Sequence, residues 1–335
     1  MNSNLKSNKF TNVNFAEWLP SSNEGNKFLI LVAVSGYESR CVTWMKSVYE
    51  KSPPAQNSKY LVFGFNEYND ALNRAENDLF YDQRNIPIIK IGSEQHDSLI
   101  GKIEKEYRDI KEMAGISSVE IHIDYSCMPR NWYCNLPKFL TGLLKENDKA
   151  FFWYTSGNYP EHDYPTAGVE DFKVFSGQAN MSPAFRTHIF GLGFDRIRSQ
   201  AIWSVLDPQN LICFYTDPGV IDGYVDRVKE ENKDILRAAN HHFTVPYFDF
   251  EYTLSKINSV VREFREIGDV ILVPDGPKPL VLATSIIPYL NTQPGIVCFH
   301  VNRRKGLEFK PVDVKPVGQP YGFYFNGVDV KNQNE

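Results

Sequence analysis

The residues best suited to chemistry in the N-terminal half are two carboxylates, each placed directly behind an apolar run. Glu38 and Arg40 follow the first run, and Asp124 ends a later one, with Ser126 and Arg130 behind it. Two carboxylates and a hydroxyl at strand ends are suited to acid–base chemistry on a nucleotide N-glycosidic bond. Glu38 or Asp124 would then be catalytic in a hydrolase or transferase. Alternatively, Glu38 pairs with an arginine and only orders the loops; the sequence leaves both interpretations open.

The C-terminal half offers residues suited to binding an anion. The stretch Asp275-Gly276-Pro277-Lys278 follows an apolar run and opens a helical pattern. A Gly-Pro turn exposes backbone amides, a helix N-terminus favours anionic oxygens, and Lys278 adds a positive charge. These features predict a phosphate site; the alternative is an ordinary strand-to-helix turn with a solvated lysine.

A second loop of this half begins like a dinucleotide-binding motif but does not complete it. Gly191-Leu192-Gly193 supplies two glycines of that motif, and Arg196 stands where the third would be. Asp195 precedes this arginine. We therefore expect no nicotinamide or flavin cofactor, and the pattern of ligating residues predicts no metal site.

The elements that position these residues alternate between short apolar runs and helical patterns. Nearly continuous apolar runs indicate strands buried on both faces, and βα alternation predicts a mostly parallel sheet. The predicted strands are 28–34, 60–65, 86–91, 119–125, 150–155, 187–192, 211–216, 244–248, 269–274 and 296–301. The predicted helices are 41–51, 70–81, 98–113, 131–145, 198–206, 220–239, 254–266 and 280–290. The fold class is therefore α/β, with two tandem Rossmann-like domains.

The two halves repeat one arrangement of motifs. Gly36-Tyr37-Glu38 and Gly193-Phe194-Asp195 both follow a first strand, and Asp124 and Asp275 both end a fourth. This match predicts a tandem duplication whose pseudo-symmetric units hold a ligand between them, at the carboxyl ends of the strands.

The domain boundaries follow from composition. An Asn-, Ser- and Lys-rich lead-in covers residues 1–26, and a Pro- and Gly-rich connection covers 161–186. The first Rossmann-like domain is expected over 27–160 and the second over 187–306. The aromatic tail 307–335 is expected to pack on the second domain.

The loops of the second half resemble those of the CRISPR-associated Rossmann-fold (CARF) sensor domains of prokaryotic antiviral defence. Gly193-Phe194-Asp195-Arg196 matches the loop after their first strand, and Asp275-Gly276-Pro277-Lys278 matches the turn after their fourth. The resemblance implies a nucleotide or cyclic oligonucleotide ligand. Since the two units use nearly the whole length, it also implies a partner effector protein. The expected ligand-binding residues are Gly36, Arg40, Ser126, Arg130, Gly193, Asp195, Arg196, Asp275, Gly276 and Lys278.

The composition narrows the classes of protein further. A formal net charge of −5 over 335 residues does not favour direct nucleic-acid binding. Five cysteines without a CxxC pair are atypical of a disulfide framework or a zinc ribbon. The absence of a long apolar run and of a signal-peptide pattern predicts a cytoplasmic protein without membrane association. A non-catalytic adaptor subunit of a multi-protein complex remains a third possibility beside the sensor and the enzyme.

Overall fold

The computed structural model describes residues 9–18, 26–51, 57–160, 169–180, 185–291, 293–303 and 311–328. These residues form two compact units. The first unit contains the described residues up to Pro160 and from Pro311 onward, and the second unit contains those between.

The strands and helices alternate along most of the described chain. The strands are β1 (Thr11–Asn14), β2 (Lys27–Ser35), β3 (Ser58–Phe65), β4 (Ile88–Ile91), β5 (Ser118–Asp124), β6 (Lys149–Asn158), β7 (Val169–Gln178), β8 (Arg186–Gly191), β9 (Leu211–Thr216), β10 (His241–Val245), β11 (Asp269–Val273), β12 (Ile296–Arg303) and β13 (Lys315–Asn326). The helices are α1 (Thr43–Lys51), α2 (Arg74–Asp82), α3 (His96–Lys111), α4 (Arg130–Leu143), α5 (Arg196–Leu206), α6 (Tyr224–Glu231), α7 (Lys233–Ala238), α8 (Phe250–Arg265) and α9 (Lys278–Leu290). A 3-10 turn, Ser39–Val42, precedes α1.

The first unit is built on a seven-stranded sheet with the order β1-β13-β6-β5-β2-β3-β4. Strands β2 to β6 run parallel, because the helices between them carry the chain back across the sheet. All but the first residue of β2 are buried, as expected for a strand covered on both faces.

The second unit is built on a six-stranded sheet with the order β10-β9-β8-β11-β12-β7. Its strands β8 to β12 are parallel, and β7 pairs antiparallel with β12. Helix α9 is apolar around its circumference and contacts α8, β7, β8, β11 and β12.

Both units arrange their parallel strands in the same order. Numbered within its own unit, each sheet reads third, second, first, fourth, fifth strand, with an antiparallel strand beside the fifth. The sequence prediction of two Rossmann-like, mostly parallel sheets is confirmed. The strand order reverses between β2 and β5 in the first unit and between β8 and β11 in the second.

The C-terminal tail does not pack where the sequence predicts. Strand β13 pairs antiparallel with β6 and with β1, so the tail completes the first sheet. The expectation that residues 307–335 pack on the second domain is wrong. The rings of Phe323 and Phe152 stack across the β13–β6 pair at 5.1 Å, and Phe325 is fully buried. Residues 307–310 and 329–335 lie outside the described residues.

The two segments predicted to be irregular also contain strands. The lead-in 1–26 supplies β1, and its Phe15 and Trp18 are buried against Trp153. The connection 161–186 supplies β7 at the edge of the second sheet. Residues 1–8, 19–25, 161–168 and 181–184 lie outside the described residues.

One predicted helix is divided in the structure. The sequence predicts a helix over 220–239, but α6 ends at Glu231 and α7 begins at Lys233. Asn232 separates them with a non-helical backbone, and its side chain makes contacts described below. No helix among the described residues is long and apolar enough to cross a membrane.

Candidate functional site

The sequence-predicted residues collect at the carboxyl ends of the parallel strands in both units. Ligands of open parallel sheets bind beyond these ends, where the strand order reverses. In the first unit this region holds the loop after β2 and the loop after β5. In the second unit it holds the loop after β8, residues 192–195, and the loop after β11, residues 274–277; we call these two together the second-unit loop pair.

Arg40 lies inside the first unit, where a charged side chain is stable only if its donors are paired. Its Nε donates to the Glu38 carboxylate at 2.6 Å. Nη1 donates to the Tyr154 hydroxyl and the Thr155 carbonyl, each at 3.2 Å, and Nη2 to the Tyr159 hydroxyl at 3.1 Å. Burial acts to lower the pKa of Arg40, but Glu38 and the two tyrosines raise it above its ordinary value. The guanidinium therefore remains charged and orders the loops.

Glu38 lies at the surface side of this ion pair, and its side chain is 17% exposed. Its Oε2 also accepts the Cys127 thiol, with a sulfur-to-oxygen distance of 3.6 Å. Burial and the neighbouring Cys41 thiol raise the pKa of Cys127 well above its ordinary value. Cys127 therefore remains a neutral thiol and is not an activated nucleophile.

Asp124 is buried and hydrogen-bonded to its own turn. Its Oδ1 accepts the Ser126 backbone amide at 3.0 Å and the Ser126 hydroxyl at 2.5 Å. The same hydroxyl accepts the Thr155 backbone amide at 2.7 Å. This chain of bonds connects the end of β5 to β6, so these contacts of Asp124 and Ser126 stabilise the strand ends.

A side chain of helix α2 holds the loop that contains Gly36 in place. The buried Asn77 amide donates to the carbonyls of Gly36 and Glu38, each at 2.9 Å. Arg130 begins α4 on the neighbouring loop and is half-buried.

In and beside the second-unit loop pair, three glycines allow the backbones to approach each other closely. A Cβ on Gly193 would lie 2.8 Å from the Cα of Gly276, and one on Gly191 would clash with the Asp275 carbonyl. Gly276 has a φ of +91°, in the left-handed region that favours glycine. The glycines are therefore required for packing one loop on the other.

An ion pair joins the start of α5 to the loop after β11. Arg198 is buried; its Nε donates to the Asp275 carboxylate at 3.0 Å and its Nη2 to the Val301 carbonyl at 2.8 Å. Asp195 caps helix α5 by accepting the Arg198 backbone amide at 3.0 Å. The negative charge of Asp275 is thus balanced inside the protein.

The remaining predicted cations of this unit lie nearer to solvent. Arg196 has a 47% exposed side chain, 4.0 Å from the Asp234 carboxylate. Lys278 is half-buried and is the first residue of α9, directly after Pro277. Both therefore lie at helix N-termini that follow a strand end.

The polar contacts of the two units correspond. Arg40 donates to a carbonyl at the end of β6, and Arg198 to a carbonyl at the end of β12; both are the fifth parallel strand of their unit. Asn77 donates to the Gly36 carbonyl, and Asn232 to the Gly193 carbonyl at 2.7 Å. Each unit therefore fixes its first loop with a buried arginine and a buried asparagine.

The aromatic residue of each first loop also has a matching partner. Tyr37 contacts Tyr68 with ring centroids 5.9 Å apart, and Phe194 contacts Tyr224 at 4.7 Å. Tyr68 and Tyr224 both belong to the segment after the second parallel strand of their unit.

The expected ligand-binding residues leave out three buried residues that make central contacts in this region, Arg198, Asn77 and Asn232. The sequence places Arg198 at the strand ends without assigning it to the site, and it does not point to the two asparagines. Arg196 and Arg198 lie at the same strand end in the sequence, and burial distinguishes them in the structure. Among the described residues, no group of three or more His, Cys, Asp and Glu side chains could hold a metal ion.

A comparison with solved structures gives an informative likeness. No family model matches the chain, and neither does any curated protein. A solved structure described as a Type III CRISPR defence DNA nuclease activated by cyclic oligoadenylate matches with a TM-score of 0.50 and 8% identity. The match covers 82% of this chain and 66% of that nuclease, so the chain spans just under two thirds of its length.

Two further structures match with TM-scores of 0.23, too low to support an argument. They are an N-terminal ketoreductase from the macrolactin assembly line, at 10% identity, and a set of pinoresinol-lariciresinol and phenylcoumaran benzylic ether reductases, at 11%. The match to the ketoreductase covers 86% of this chain and 72% of the ketoreductase chain. The match to the ether reductases covers 81% of this chain and 93% of the reductase chain. At 8% identity, the likeness to the nuclease shows a shared fold and nothing beyond it.

Proposed function

We propose that this protein binds a nucleotide, with a cyclic oligoadenylate as the preferred class, and acts as a sensor in a prokaryotic antiviral defence system. The proposal is supported by the CARF-like fold and by the likeness to a nuclease that cyclic oligoadenylate activates. A sensor of this kind passes its signal to a partner effector protein.

The observation that carries the proposal is the second-unit loop pair. Gly276 turns the chain directly before α9, which begins at the strand ends with the positive end of its helix dipole. Pro277 and Pro279 have no N–H, so Lys278 and Leu280 carry the amides at this terminus. Lys278 adds a charge at this terminus. We propose that a phosphate of the ligand binds here.

The ion pair inside the loop pair makes this site compatible with an anion. A carboxylate beside a bound phosphate would repel it, but Arg198 neutralises Asp275 at 3.0 Å. Lys278 and Arg196 add positive charge at the two helix N-termini. Gly193 and Asp195 shape the neighbouring loop, by close packing and by capping α5.

In the first unit we propose a matching anion contact at Arg130, which begins α4 as Lys278 begins α9. Arg40, Ser126 and Gly36 would position this edge through their internal contacts. The contacts of Glu38 with Arg40 and of Asp124 with Ser126 favour this role over catalysis.

The same correspondences support descent from one duplicated module. The shared strand order, the Arg40 and Arg198 contacts and the Asn77 and Asn232 contacts are features that two copies would retain. Independent origin would have to produce each contact separately.

A nucleotide panel tests the proposal. The full chain is incubated with cyclic tetra-adenylate, cyclic hexa-adenylate, linear oligoadenylates, NAD and mononucleotides; thermal stabilisation and released base are both measured. We expect a cyclic oligoadenylate to stabilise the protein without turnover, because bound ligand raises the free energy of unfolding. Base release that is lost in Glu38→Gln or Asp124→Asn would instead establish the glycosidase. Stabilisation by no compound would exclude the sensor.

A further inference from the structure

The loop after β3 in the first unit exposes a tyrosine ring in a fixed position. This loop, residues 66–73, carries two non-glycine residues with left-handed backbones, Tyr68 at φ +58° and Leu72 at φ +46°. Bulky residues rarely adopt this conformation, and where they do the surrounding structure holds them. Both side chains are exposed, Tyr68 by 41% and Leu72 by 54%.

Backbone and ring contacts hold Tyr68 in place. The Tyr68 carbonyl accepts the Ala71 amide at 3.2 Å, and the Tyr37 carbonyl accepts the Asn73 amide at 3.1 Å. The Tyr37 ring packs against the Tyr68 ring in an edge arrangement, at 75° between the ring planes. The exposed ring is therefore presented by a supported loop.

The second unit provides an internal comparison. Its equivalent tyrosine, Tyr224, is only 6% exposed, because Tyr247 packs against it at 6.0 Å. The guanidinium of Arg227 lies 4.4 Å above the Phe194 ring of the same pair. The aromatic pair is thus covered in the second unit, whereas the first unit leaves its tyrosine accessible.

We infer that Tyr68 is a stacking surface for a base of a nucleotide bound at the strand ends of the first unit, an inference that rests on the proposed function. Tyr68 lies at the carboxyl edge of the sheet, where ligands bind. Its neighbours Glu67 and Asp70 are exposed and negative, which disfavours a phosphate but not an uncharged base. Aromatic faces stack on bases. The Asn69 side-chain amide donates to the Asn66 carbonyl at 2.7 Å and so helps to hold the loop that carries the ring.

The test uses a variant that keeps the loop backbone. Tyr68→Asn removes the ring, and asparagine tolerates a positive φ. We expect Tyr68→Asn to weaken the binding of cyclic tetra-adenylate by about fivefold or more, the lower bound for a lost base stack. Tyr68→Trp should restore binding, since it keeps an aromatic face. Met113→Ala is the matched control, because Met113 is half-exposed before β5, at the opposite edge of the same sheet.

A second measurement separates this inference from the proposed function. The Tyr68 ring protons, assigned by their loss in Tyr68→Phe, are followed by NMR during addition of adenosine monophosphate at millimolar concentration. We expect upfield shifts as the base stacks. If the Tyr68 ring protons shift but the protein does not bind cyclic tetra-adenylate, the stacking surface is supported and the proposed ligand is excluded.

Two results would overturn the stacking surface. The first is that Tyr68→Asn and Met113→Ala bind cyclic tetra-adenylate with the same dissociation constant. This result would leave the sensor function intact. The second is wild-type protein that neither binds cyclic tetra-adenylate nor shows Tyr68 shifts, which excludes both proposals.

Discussion

The residues that shape this protein's strand-end loops are buried arginines, and the sequence prediction assigns only one of the two to the binding site. Arg40 and Arg198 each hold a loop in place through a carboxylate and a main-chain carbonyl. The sequence predicts Arg196 for the second unit because it directly follows Asp195. Burial distinguishes Arg198 from Arg196, and burial depends on which helix face meets the sheet.

Replacing Arg198 tests the ion pair. Arg198→Met leaves the buried Asp275 carboxylate without its partner, which typically costs about 3–5 kcal/mol. We expect this loss in the free energy of unfolding, measured by urea denaturation with amide exchange to locate it in the second unit. Arg196→Met, two positions away on an exposed side chain, should change that free energy by less than about 0.5 kcal/mol. An equal loss of unfolding free energy in Arg198→Met and Arg196→Met would contradict a stabilising ion pair between Arg198 and Asp275.

The buried His188 should make the free energy of unfolding depend on pH. Burial and the nearby Arg186 lower the pKa of His188 from 6.5 to about 4. At His188 the unfolded chain therefore binds a proton more readily than the folded chain. The contribution of neutral His188 to the free energy of unfolding is complete above about pH 6.5 and is lost as the pH falls toward 4. We expect urea midpoints to fall over this range, and less steeply in His188→Leu. Parallel profiles for wild type and variant would contradict the prediction.

At the level of elements, local patterns predict the parallel strands well, because each is a short apolar run between helices. They fail where pairing is non-local. Strand β13 is adjacent in sequence to the second unit but hydrogen-bonds to β6 of the first, more than 150 residues earlier. The helix predicted over 220–239 fails for a related reason, since Asn232 leaves the helix and donates to the distant Gly193 carbonyl.

The position of β13 can be tested through its buried rings. Phe323 belongs to β13 and is buried against the rings of Phe10 and Phe152. Phe323→Ala should lower the free energy of unfolding by about 3–5 kcal/mol, as for other buried phenylalanines. Hydrogen exchange should locate the loss in the first unit, and Gln319→Ala, exposed on the same strand, should behave as wild type. Loss of protection confined to the second unit would contradict the pairing.

On the scale of the whole molecule, two units repeat one strand order and one set of loop contacts, yet they differ in what they expose. The second unit presents Lys278 and Arg196 at helix N-termini, whereas the first presents Arg130 at a helix N-terminus and an exposed aromatic ring beside carboxylates. A cation at a helix N-terminus is suited to a phosphate, and an exposed ring is suited to stacking on a base. The sequence predicts the repeat and the phosphate-binding loop, but it does not reveal the exposed ring, since exposure depends on packing.

The central claim, nucleotide binding at the strand ends with Lys278 as a phosphate contact, is tested most directly by calorimetric titration. Cyclic tetra-adenylate is titrated into the wild-type chain and into Lys278→Ala. We expect binding by the wild type and a loss of about 1–3 kcal/mol in binding free energy for the variant, the usual value for a hydrogen bond to a charged group. Equal dissociation constants, or no binding by the wild-type protein, would contradict the claim.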